Sequence, residues 1–63
     1  MSQTQIATFA ALEAQTSFLE SRKAYLSAGE DLATAEFWAK EDSRVIYART
    51  HRALVSGELV VAA

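Results

Sequence analysis

The sequence predicts an all-α protein: a two-helix antiparallel hairpin, with two hairpins dimerising into a four-helix bundle. Three observations carry that reading. Apolar residues recur at helical spacing on both sides of residue 29. The only two glycines, Gly29 and Gly57, stand where the two helical patterns stop. Among 63 residues there is no proline, and 13 are alanine, so helix propensity is high nearly throughout.

The first helix is expected over about residues 4–28. Ser2 or Thr4 can accept hydrogen bonds from its first free N–H groups, and Gln5, three residues after Ser2, completes a capping box. Gly29 closes it, because glycine enters the left-handed conformation that ends many helices. A tight turn follows at 29–31, and Asp31 caps the second helix, expected over about 32–56. The stretch Val45-Ile46-Tyr47, two β-branched residues and an aromatic one, is the weakest helical segment and could be a strand. Around Gly57 the run Val55-Ser56-Gly57-Glu58-Leu59 resembles Leu26-Ser27-Ala28-Gly29-Glu30-Asp31-Leu32, with a leucine shortly past each glycine to fold back on the last turn. The tail, 58–63, carries Leu59, Val60 and Val61 in succession. It is expected to pack on the bundle or on a partner, since exposed it would invite edge pairing.

At 100° per residue the first helix shows two apolar lines. Ala7, Ala11, Ala14, Phe18 and Tyr25 form one, and Leu12, Leu19 and Leu26 the other, with the polar row Thr8, Gln15, Arg22 between them. The second helix has three: Leu32, Ala35, Ala39, Ile46 and Ala53, with Asp42 and Arg49 in the same seam; Phe37, Ala48 and Val55; and Trp38 with Val45. Tyr47 and Leu54 lie between them. A lone hairpin buries one stripe per helix, so the surplus points to self-association. Leu12, Phe18, Leu19, Tyr25, Leu26, Leu32, Ala39, Ile46 and Ala53 are the expected hairpin or dimer core. In an antiparallel hairpin Arg22 comes within about a turn of Asp42, and a pair there would fix the register.

Chemistry of its own is not expected from this chain. His51 is the single histidine and there is no cysteine, so neither a structural zinc site nor a catalytic triad can be assembled, and no glycine-rich phosphate loop exists. No enzyme activity, metal or cofactor is expected. The run free of charge, Met1 to Leu12, is too short and too polar to span a membrane, and the first basic residue is Arg22, which leaves no charged segment of a secretory signal. A cytoplasmic protein is the expectation, and one domain is the ceiling at this length.

Net charge is −2, but the charge is segregated. Residues 30–42 hold Glu30, Asp31, Glu36, Glu41 and Asp42 against Lys40, while 44–52 hold Arg44, Arg49 and Arg52 with His51. Such a dipole suits an antiparallel partner, because complementary charge fixes orientation. A combination of Trp38 and Val45 with Arg49, Arg52 and Tyr47 carries binding energy at many protein interfaces, so these five are the candidate partner-binding residues. The function expected is that of a small regulator or inhibitor, of the kind plasmids and phages encode, that occupies another protein's surface. The alternative is a nucleic-acid-binding regulator using Arg44, Tyr47, His51 and Arg52. In length and outline the chain is similar to the Rop class of plasmid regulators, dimers of hairpins that bind RNA. That likeness is one of architecture, with no shared motif. A small structural subunit of a larger assembly is the third class.

Overall fold

A computed structural model describes residues 1–61. It is all-helical: α1 spans Gln3–Ser27, α2 spans Leu32–Ser56, and the two pack against each other as a hairpin. The molecule measures 40 × 17 × 17 Å, the dimensions of two 25-residue helices side by side. Val45, Ile46 and Tyr47 lie within α2. Their preference for strand is overridden by helix formers on both sides.

Each terminus is closed by the residues suited to it. The Ser2 hydroxyl accepts from the Gln5 N–H at 3.1 Å, while Gln5 Oε1 accepts from the Ser2 N–H at 2.8 Å. At the far end of α1, Gly29 has φ +98°; the Gly29 N–H donates to the Leu26 carbonyl at 3.1 Å and the Glu30 N–H to the Tyr25 carbonyl at 3.1 Å. These two bonds are the Schellman pattern. Asp31 Oδ1 then accepts from the Thr34 N–H at 2.7 Å, starting α2 within four residues of the end of α1. Bonding to Thr34 holds the Asp31 carboxyl below its ordinary range. Gly57, at φ +81°, ends α2.

The helices meet along small side chains. Among the described residues Ile6, Ala10, Ala35, Ala39 and Leu54 are buried. Between them, Ala14, Ser17 and Ser21 on α1 are half-buried, as are Asp42, Ser43, Ile46, Thr50 and Ala53 on α2. Spacing of three and four makes Ala10, Ala14, Ser17 and Ser21 one continuous row, and short side chains let two helices approach closely. Ile6 and Leu54, the large members, close the open end of the hairpin.

Of the expected core residues, Ala39 is buried, and Phe18, Tyr25, Ile46 and Ala53 are half-buried. Leu12, Leu19, Leu26 and Leu32 stand out into solvent from the single chain. The register pair differs from the Arg22–Asp42 contact that the sequence suggests. Arg22 instead lies 3.7 Å from Glu36 and its guanidinium sits 5.4 Å from the Phe18 ring centre, and Asp42 Oδ2 accepts from the Tyr25 hydroxyl at 3.0 Å. The long Tyr25 ring reaches into the seam where a guanidinium would have to give up water.

Beyond Gly57 the Leu59 N–H donates to the Ala53 carbonyl at 3.1 Å. Leu59 and Val61 are partly covered, whereas Val60 is open to solvent. Val61 borders one hollow with Met1, Thr4, Gln5, Thr8, Phe9 and Leu12, so the tail turns back over the start of α1. The tail residues Ala62 and Ala63 lie outside the described residues.

Candidate protein-docking surface

Because the seam between the helices consumes the alanines and serines, the large apolar side chains are left on the outside. Leu12 and Leu19 each follow a seam residue, Ala10 and Ser17, by two positions, which is 200° round the helix. With Leu26 they form a row along the outer edge of α1, 57%, 49% and 41% exposed.

The outer side of α2 is richer. Trp38, Val45 and Arg52 each precede a seam residue (Ala39, Ile46 and Ala53) by one position, and all three are exposed. Glu41, Ala48 and Val55 follow the same seam residues by two. One row is displaced about 100° one way, the other about 160° in the same sense, so the six share one face of α2. Trp38 is 49% exposed, Val45 53% and Val55 64%. The Phe37 ring meets Trp38 edge to face, with centres 5.1 Å apart and planes at 82°, which steadies the indole while leaving it available.

Tyr47 and Arg49 flank this face on opposite sides. The Tyr47 ring stacks on His51 at 5.9 Å and 26°, and the two border an open hollow with Ala48, Arg52, Val55 and Ser56. Arg49 is exposed. Arg44 lies 3.5 Å from Glu41 of its own helix, so one of the four basic side chains in this half of α2 is already neutralised. Trp38, Val45 and Arg52 therefore come together as one row, with Tyr47 and Arg49 at its margins. Phe37, Glu41, Ala48 and Val55 are members of the same surface that the sequence reading did not count among the partner contacts, although it set Phe37, Ala48 and Val55 on one apolar line; the adjacency of two aromatics at 37 and 38 and the repeat 41, 48, 55 were the available signals.

The face offers contact area and charge. Among the described residues no three histidine, cysteine, aspartate or glutamate side chains are grouped to hold a metal ion. No helix among them is long and apolar enough to cross a membrane. Compared with protein-family models, with curated proteins and with solved structures, the chain matches none.

Proposed function

We propose that this chain is a non-enzymatic protein-interaction module that works as a dimer of hairpins and acts by binding, and so modulating or inhibiting, another protein. A four-helix bundle is the simplest arrangement of two such hairpins. One observation carries the reading: among the described residues only Ile6, Ala10, Ala35, Ala39 and Leu54 are buried, while thirteen large apolar side chains from Met1 to Val61 are exposed. A core that small offsets little of the entropy of ordering 61 residues, and a covered edge would add what is missing. Trp38, Val45 and Arg52, with Tyr47 and Arg49 beside them, are the leading interface contacts, whether with a second copy of the chain or with the bound protein, since aromatic and arginine side chains dominate interface energies. The module functions in the cytoplasm and needs no cofactor.

Affinity capture from the native cell lysate tests this, with nuclease treatment in parallel and with Trp38→Ala beside the wild type. The expected result is a protein that survives nuclease and is lost with Trp38→Ala, while the variant's circular dichroism stays that of the wild type. Recovery of nuclease-sensitive material alone would move the assignment to nucleic acid read by Arg44, His51 and Arg52, with a steep dependence on salt.

A further inference from the structure

The outer face of α2 matches itself when a second copy is turned end for end. Trp38, Glu41, Val45, Ala48, Arg52 and Val55 are spaced 3, 4, 3, 4, 3, the pattern of a helix-pairing seam. We propose that a second copy of this chain occupies this face, α2 lying antiparallel on α2 about a two-fold axis between Ile46 and Tyr47. This rests on the interaction-module reading and names the occupant of the Trp38 face.

In that register Trp38 meets Val55 of the second copy, Glu41 meets Arg52, and Val45 meets Ala48. Each pair occurs twice, as two-fold symmetry requires. Trp38 and Val45 each oppose a smaller side chain, so those layers can fill without clashing. The one acidic and the one basic member of the seam fall opposite each other; a parallel alignment would set Glu41 on Glu41, Arg52 on Arg52 and Trp38 on Trp38. Along one margin Asp42 lies next to Arg49 of the second copy, a further pair of opposite charges. Arg44 and His51 come side by side along the other margin, where Arg44 keeps Glu41 of its own helix within 3.5 Å. The order of charge along α2, acidic before basic, thus selects the antiparallel partner. The leucine row of α1 stays on the far side of each hairpin, open to a different protein.

Charge reversal tests the register directly. Wild type should sediment as a dimer at tens of micromolar. Glu41→Arg and Arg52→Glu should each weaken self-association at least tenfold, since each sets like charges together twice. An equimolar mixture of the two variants should recover it, because the mixed pair restores opposite charges at both positions. An independent check uses exposed positions only: Val45→Cys mixed with Ala48→Cys should form a disulfide between the two variants faster than either forms with itself. A monomeric wild type, a mixture that stays apart, or faster self-linking of Val45→Cys overturns the proposal. If the wild type is monomeric yet a captured protein is still lost with Trp38→Ala, the dimer falls and the interaction module stands. A dimer of this register that captures no protein gives the reverse.

Discussion

The Tyr25 hydroxyl donates to Asp42 Oδ2 at 3.0 Å, tying the last turn of α1 to the middle of α2 across 17 residues of chain. It is the one side-chain hydrogen bond between the helices among the described residues, and with Arg22–Glu36 it sets how far one helix slides along the other. An interface of alanines and serines has little shape to resist sliding. Directional contacts at its margin supply the register instead.

Replacing that tyrosine should expose the effect of the bond in the pH profile. The phenol's pKa is raised, first by its hydrogen bond to Asp42, then by burial and by the charge of Asp42. A raised folded-state pKa means that the fold favours the neutral phenol. The stabilisation is therefore complete below about pH 10 and is lost as pH rises through the folded value. Tyr25→Phe should lower Tm by a few degrees at pH 7 and flatten the alkaline loss of stability seen in the wild type. Thermal melts by circular dichroism between pH 7 and 11 measure both.

Gly29 is a backbone requirement rather than a packing one. Its φ is +98°, and nothing lies within 4 Å of where a Cβ would stand. Gly29→Ala should cost about 1–2 kcal/mol through left-handed strain alone, and Gly29→Asn less, because asparagine tolerates that region. Denaturant midpoints for the two variants should fall in that order, with unchanged helix content.

The small-residue seam should reject larger side chains, while the leucine edge accepts smaller ones. Ala39 is fully buried, so Ala39→Leu should destabilise the hairpin by about 1–3 kcal/mol. Leu19 is half exposed, and Leu19→Ala should shift the isolated protein by no more than about 0.5 kcal/mol. Urea unfolding of both variants decides this, and the opposite order would mean that the leucine row, not the alanine row, holds the helices together.

The tail borders the open end of the hairpin. Leu59, Val60 and Val61 border a hollow with Met1, Ile6 and Leu54, the place where the two large buried side chains sit. Deleting residues 59–63 should lower Tm measurably and leave the helix content of 3–56 in place. A truncated chain that melts with the wild type would show the tail to be idle.

The sequence by itself determined the local structure. Capping residues at Ser2 and Asp31, left-handed glycines at 29 and 57, and the absence of proline are short-range instructions, readable without knowing what packs on what. The surplus of apolar stripes was legible too, because periodicity counts faces. Which stripe each helix spends on its neighbour was decided only by the tertiary structure. Hydropathy ranks leucine above alanine and so directs attention to Leu12, Leu19 and Leu26, yet the helices close on Ala10, Ala14, Ser17, Ala35 and Ala39. Short side chains in the seam let the two helices approach closely, and the leucines are left on the outside. Likewise Arg22 and Asp42 come within about a turn of each other by residue count, but reach decided their partners: the tyrosine ring extends to Asp42, and the guanidinium lies against Glu36 at the edge.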